Sequence, residues 1–314
     1  MVLDAKVVAF AGGVGGAKLV YGLSKSLSPE HFTIIGNVAD DLDLFGLHIS
    51  PDLDTVMYTL AGLANPAAGW GITDETWQTV EMLRHYGEEV WFNLGDRDFA
   101  THILRTQWLK QGHSLTTVTA RLLERLGVHC TLLPVTDDPL RTMVDTQEYG
   151  TLPFQEYFVR YQWQPTALNV WFYGMVEAQA TTKVVTAIRE ADVIVFCPSN
   201  PVLSIAPLLA VPGVREALVE RHGVCVAVSP FVGGKALKGP AEKLMRELKL
   251  DISATGLIDY YEGLLDGLVI DKLDQEQAVG SKIPILVTET VMKSEDDKVR
   301  LAEEVLRWVG SRKS

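Results

Sequence analysis

Residues 6–18 read KVVAFAGGVGGAK, and the fold is read outward from them. Lys6–Phe10 have strand character and run straight into Gly12, Gly13, Gly15 and Gly16, with a helical pattern starting near Ala17. Glycines between a buried strand and a helix let the backbone turn sharply and approach a ligand closely. The helix N-terminus beyond them offers unpaired N–H groups and the positive end of a dipole, so an anion settles there. A phosphate cradle is therefore expected at Gly12, Gly13, Gly15 and Gly16, with Lys18 beside it. Neither standard template fits. GxGxxG needs a third glycine where Lys18 stands, and GxxxxGK[ST] fails because Lys18 follows Ala17 and precedes Leu19. The competing reading of the same residues is a tight turn without a ligand.

Apolar, β-branched runs alternate with helical patterns along most of the chain. The strands predicted are Lys6–Phe10, Thr33–Asn37, Glu89–Asn93, Thr131–Pro134, Val170–Phe172, Val193–Cys197, Val224–Ser229, Gly267–Asp271 and Pro284–Thr288. Helices are predicted over Ala17–Leu27, Thr55–Ala61, Glu75–Tyr86, Phe99–Gln111, Leu115–Leu126, Lys183–Glu190, Gly213–Glu220, Ala241–Leu248 and Asp296–Val309. Short continuous runs such as VIVFC at 193–197 suit strands covered on both faces. The pattern predicts an α/β, Rossmann-like, doubly wound and mostly parallel sheet. No Ser/Gly/Pro linker or repeat divides it, so residues 1–314 read as one domain. Residues 138–170, with the aromatic stretch FQEYFVRYQW, are less regular and are expected to form a small insertion or lid.

The 314 residues suffice for a proper core, and an apolar content of 47% excludes a disordered or fibrous class. A formal net charge of −12 argues against nucleic acid or an anionic membrane as partner, since both would be repelled. A small phosphorylated ligand meets only local charge and stays allowed. No apolar run is long enough to span a bilayer, and no secretory signal opens the chain. Cys130, Cys197 and Cys225 are widely spaced and read as reduced core thiols of a cytoplasmic protein.

Ligands of open α/β sheets gather beyond the carboxyl ends of the strands, and the polar clusters lie there. Five aspartates, Asp40, Asp41, Asp43, Asp52 and Asp54, fall within fifteen residues amid apolar neighbours. Such carboxylates repel one another unless a cation or protons offset them, and hard oxygen ligands suit Mg²⁺ shared with phosphates. Their plain alternative is a turn at Asp40 and Asp41 and a helix cap at Asp54. In Leu94-Gly-Asp96-Arg-Asp98-Phe-Ala-Thr-His102, Asp98 reads as an N-cap and His102 as a packed histidine. Pro198-Ser199-Asn200-Pro201 is an extended turn whose hydroxyl and amide suit a base or phosphate. After Ser229-Pro230, Gly233-Gly234-Lys235 and Lys238-Gly239-Pro240 supply a glycine turn and two cations for an anion.

Together GGVGGAKL at 12–19, NVADD at 37–41, PDLDT at 51–55, GWG at 69–71, LGDRDFATH at 94–102, PSNP at 198–201 and SPFVGGKALKGPA at 229–241 resemble one family. It is the 2-phospho-L-lactate transferase family of coenzyme F420 biosynthesis, with the resemblance running from residue 7 to about residue 270. It implies transfer of a phospho-acyl moiety from a guanylylated phospho-acid to the ribityl hydroxyl of the deazaflavin Fo, with GMP leaving and Mg²⁺ required. The donor is the lactyl or the enolpyruvyl diphosphoguanosine. The resemblance further implies Fo contacts at Asp54 and Asn93, with Asp96 grouped beside them, and a homodimer. Under this reading Asp41 and Asp54 are the catalytic candidates, and with Asp40 and Asp52 they form the metal set. Gly12–Gly16, Lys18, Lys235 and Lys238 hold donor phosphates, and Ser199 and Asn200 read guanine. Val14 replaces the threonine many members carry, which leaves backbone N–H groups to hold phosphate. The alternatives are a non-catalytic, nucleotide-sugar-binding regulator with the same glycine turn, and a Rossmann oxidoreductase.

Overall fold

A computed structural model describes residues 4–236 and 239–312. Its main sheet has seven strands, all parallel: β1 (Val7–Ala11), β2 (Phe32–Gly36), β3 (Thr131–Pro134), β4 (Val193–Phe196), β5 (Val224–Val228), β6 (Gly267–Asp271) and β7 (Ile285–Thr288). Their order is β7-β6-β5-β4-β1-β2-β3. The chain builds outward from β1 to β3, then returns to lay β4 on the other side of β1. That reversal opens a crevice beyond the carboxyl ends of β1 and β4, the switch point where doubly wound sheets take ligands. The continuous apolar runs have their reason here, because β1, β4 and β6 are buried at every residue.

Helix α1 (Gly13–Ser26) begins inside the glycine cluster rather than near Ala17, so Gly15 and Gly16 belong to its first turn. Helix α2 (Pro51–Leu60) likewise starts earlier than Thr55, with Pro51 pre-set for the first helical turn. Helix α3 (Asp96–Lys110) lies beyond it, and α4 (Glu295–Gly310) closes the described chain against α1.

Two strand predictions differ from the structure. Glu89–Asn93 is irregular: Val90 and Phe92 pack with Ile49, Val80, Leu94 and Phe99 in a satellite cluster apart from the main sheet. Val170–Phe172 belongs to a strand, Ala167–Tyr173, outside the main sheet. It pairs antiparallel with Arg141–Thr146, which also pairs with Gly150–Pro153. The irregular region is thus a three-stranded insertion, and a π-helix, Glu156–Arg160, follows its second strand. A Leu42–Leu44/Leu47–Ile49 hairpin and the short helices Ala206–Ala210 and Ala254–Tyr260 were not legible in the sequence pattern.

The three cysteines are free and buried, and burial pushes the Cys130 thiol to about 11 and that of Cys225 to about 12. Among the described residues no helix is long and apolar enough to cross a membrane.

Candidate active site

A cavity of about 1130 Å³ occupies the crevice, larger than the usual range for a single small ligand. Its floor is the glycine turn. Gly12, in extended backbone, precedes α1, and Gly13 takes a positive φ of 63°. A β-carbon on Gly12 would stand 2.4 Å from Asp52 Oδ2, and one on Gly15 would stand 2.2 Å from the Pro198 carbonyl oxygen. The glycines therefore let α1 approach both α2 and the loop after β4. At Gly15 that contact, not a positive φ, is what excludes a side chain. Gly15→Ala is expected to force the β4 loop away and cost about 1–3 kcal/mol, read as a lowered unfolding midpoint in urea; an unchanged midpoint would show the loop yields freely.

The aspartates separate into distinct tasks. Residues two apart on a helix do not share a face, so Asp52 and Asp54 leave α2 in different directions. Asp52 turns to the start of α1, where its Oδ1 accepts from the Gly13 N–H at 2.8 Å and its Oδ2 from Asn37 Nδ2 at 3.0 Å. Asp40 is buried and accepts from Thr142 Oγ1 at 2.8 Å. Both carboxylates line the cavity. Asp41 does not. Its Oδ2 is held by Ser50 Oγ at 2.9 Å and His48 Nε2 at 3.0 Å, and its buried Oδ1 has no hydrogen-bond partner. Asp43, in the hairpin, is exposed and pairs with Arg141 at 3.1 Å.

Burial raises the Asp52 carboxyl to about 6, against the pull of the Asn37 and Gly13 donors. Burial, followed by the charge of Asp52, also lifts Asp40 well above the ordinary carboxylate value. Two crowded carboxylates that line the cavity, Asp40 and Asp52, supply hard oxygen donors of the kind that fits Mg²⁺. The same shift fixes a pH dependence. An unfolded aspartate gives up its proton near 3.8, whereas folded Asp52 keeps it to about 6. Metal-free protein should therefore lose stability as pH rises between those values, by about 3 kcal/mol in all, and then level off. Asp40 acts in the same direction. Urea midpoints across this range should fall less steeply in Asp52→Asn than in the parent, and equal slopes would contradict the assignment.

Asp54 also lines the cavity, but its charge is met by protein. Arg105 of α3, 1% exposed, grips it with both terminal nitrogens, one at 3.0 Å. Burial works against the Arg105 charge, and Asp54 more than offsets it. Asp98, His102 and Arg105 share one face of α3 through their i, i+4 and i, i+3 spacings. His102 Nδ1 lies 3.3 Å from Arg105 and Nε2 lies 3.2 Å from Asp98. Arg105 can only donate, so Nδ1 accepts and the ring hydrogen sits on Nε2. Asp98 accepts from the Tyr58 hydroxyl at 2.5 Å. Burial pushes the Asp98 carboxyl up, but His102 and Tyr58 outweigh it and hold it below the ordinary value. Asp98 is therefore no helix cap, and Asp54 is none either. The start of α3 is capped by Glu75, whose carboxylate accepts from the N–H groups of Arg97 and Asp98.

Several predicted contacts fall elsewhere. Asp96 is not among the lining residues, since its carboxylate caps the helix Gln78–His85 through Gln78 N and Thr79 N. Asn93 lines the rim, with its carbonyl oxygen taken by Arg84 at 2.8 Å. Ser199 is buried and clamps Gly12, accepting from its N–H and donating to its carbonyl oxygen at 2.8 Å. Asn200 lines the cavity, but its Oδ1 accepts from Val202 and Leu203 N–H and closes the following π-turn. Neither oxygen is left to read a base. Lys235 is exposed and outside the lining, and Lys238 lies outside the described residues. The Gly233–Gly234 N–H groups are taken by Asp274, at 2.8 and 3.1 Å. Lys18 does line the cavity and donates to the Met292 carbonyl at 2.9 Å. Lys293, just beyond β7, lines it too and was missed, although its place after the last strand pointed to this end of the sheet. Arg105 was also missed.

The profile of the family described as 2-phospho-L-lactate transferase CofD matches residues 7–306. A phosphoenolpyruvate transferase of Streptomyces griseus is 42% identical, covering 96% of this chain and 99% of its own. A 2-phospho-L-lactate transferase of Methanocaldococcus jannaschii is 36% identical, covering 97% and 98%. The structure of a UPF0052 family protein from Bacillus halodurans superposes with a TM-score of 0.64 over 96% of this chain and 98% of that one, at 16% identity, which shows a shared fold. The chain belongs to the 2-phospho-L-lactate transferase CofD family.

Proposed function

We propose that the cavity joins a guanylylated phospho-acid to the ribityl hydroxyl of the deazaflavin Fo. The hydroxyl oxygen bonds to the phosphorus that carries the acid, the bond to GMP breaks, and the hydroxyl proton is released. The observation that carries this reading is one cavity at the switch point holding both a glycine-lined helix start and inward-facing carboxylates. The first-turn N–H groups of α1 beyond Gly13, whose own N–H is held by Asp52, and Lys18 suit the donor's phosphates. Asp54, held by Arg105, would orient the acceptor hydroxyl, with Asn93 at the rim. Asp40 and Asp52 would hold Mg²⁺. When bound, it neutralises phosphate charge and stabilises the leaving GMP.

We further propose the enolpyruvyl donor, because relatives at 41–42% identity are named phosphoenolpyruvate transferases while two named 2-phospho-L-lactate transferases stand at 36% and 38%. The active form proposed is a homodimer. GMP release followed by chromatography tests the reaction class. Release should need donor, Fo and Mg²⁺ together; equal release without Fo would make the protein a hydrolase.

A further inference from the structure

The insertion carries a feature that the glycine turn and aspartates leave unexplained. Phe154, Phe158 and Trp163 form a ladder along the cavity wall, with ring centroids 5.3 and 5.0 Å apart and planes inclined by only 25° and 26°. Phe154 is buried against the satellite core that includes Leu203 and Leu244, whereas Trp163, at the other end, is 37% exposed. Burial therefore does not account for Trp163. Its backbone is also unfavourable: Gln162 and Trp163 are consecutive non-glycine residues with φ of 50° and 48°. Side chains rarely adopt this region, and bulky ones do so only when the surroundings impose it.

The surroundings do impose it. The Trp163 N–H donates to the Tyr157 carbonyl at 2.9 Å and the Gln164 N–H to that of Tyr161 at 3.0 Å. Lys243 ties the Tyr157 hydroxyl and the Pro165 carbonyl to the helix Ala241–Glu247. Arg160 reaches Glu89 at 2.7 Å, fastening the segment to the one that bears Asn93. The π-helix between Phe154 and Trp163 widens the turn that spaces the rings, and such turns concentrate at functional sites. The fold thus holds Trp163 as the exposed terminal ring of the ladder at the cavity wall, beside the amides of Gln162 and Gln164.

We propose that the outer face of Trp163, backed by Phe158 and Phe154, is the stacking surface for a planar fused heteroaromatic ring, with the neighbouring amides at its polar edge. Offset parallel stacking favours such rings, and they present hydrogen-bonding edges that aliphatic groups lack. The inference rests on the cavity being a two-substrate transferase site, where the ring is the donor's purine or the acceptor's deazaflavin.

The test measures GDP affinity by calorimetry and Fo affinity by fluorescence, in the parent and in Phe158→Leu and Trp163→Leu, with circular dichroism confirming the fold. The affinity for one of the two rings should fall roughly ten- to a hundredfold, the other should hold, and Trp163→Phe should restore most of the loss. Which ring is affected identifies its source. Unchanged affinities for both, or equal losses of both, overturn the assignment. A parent that binds neither GDP nor Fo overturns the proposed reaction together with it, whereas a binding parent with unaffected variants removes the ladder alone. Should a leucine variant fail to fold, ligand quenching of tryptophan fluorescence is compared between the parent and Trp163→Phe. Quenching that is equal in the two contradicts the proposal.

Discussion

Arg105→Gln is expected to destabilise the protein by about 3–5 kcal/mol, among the largest effects of any single substitution here. The guanidinium is fully buried, and removing it strands the Asp54 carboxylate in the same low-dielectric pocket. Asp54→Asn should cost a comparable amount for the mirror-image reason. A buried ion pair is often replaceable by apolar groups of similar volume. The double variant Arg105→Met/Asp54→Leu should therefore regain much of the stability lost by either single change, yet remain inactive. Urea unfolding of the four proteins checks this. A loss below about 1 kcal/mol in Arg105→Gln, the range of solvated surface pairs, would show that water reaches the pair.

The second large effect is on turnover. Asp52→Asn keeps one acceptor for the Gly13 N–H and so should preserve the start of α1, but it removes a negative charge facing the cavity. Turnover should fall on the order of a hundredfold or more, with a higher Mg²⁺ concentration needed for half-maximal rate. Asp40→Asn should behave alike. Asp41→Asn acts on a carboxylate that does not line the cavity, so its effect should appear first in stability, through Ser50 and His48. Near-normal turnover of Asp52→Asn in saturating Mg²⁺ would remove Asp52 from the machinery.

The sheet was legible because its strands are buried on both faces and so spell continuous apolar runs, as VIVFC does. The glycine cluster marked the switch point for the same reason: only glycine lets α1 approach Asp52 and the Pro198 carbonyl so closely. What the sequence hid was the direction of side chains. Asp52 and Asp54 look like one cluster, but a helix sends them apart, one to α1 and one to Arg105, fifty-one positions further along the chain. The 98, 102, 105 spacing on α3 was a readable signal for one polar face, and Arg105 could have been found from it. Ser199 and Asn200 looked like readers of a base because their hydrogen-bonding capacity is visible in sequence. That the Ser199 hydroxyl and the Asn200 oxygen are engaged by Gly12, Val202 and Leu203 is visible only in three dimensions. Two strands of the insertion, Arg141–Thr146 and Gly150–Pro153, were missed because they are partly exposed and paired antiparallel, so no continuous apolar run announces them.

The central claim is the chemistry of the cavity, and mass spectrometry of the product tests it most directly. The protein is incubated with Fo, Mg²⁺ and each guanylylated donor in turn, the enolpyruvyl and the lactyl. The expected result is Fo carrying one phospho-acyl group, with GMP as co-product, formed faster from the enolpyruvyl donor. Recovery of unmodified Fo with both donors intact, under conditions where the protein is folded, would contradict the account.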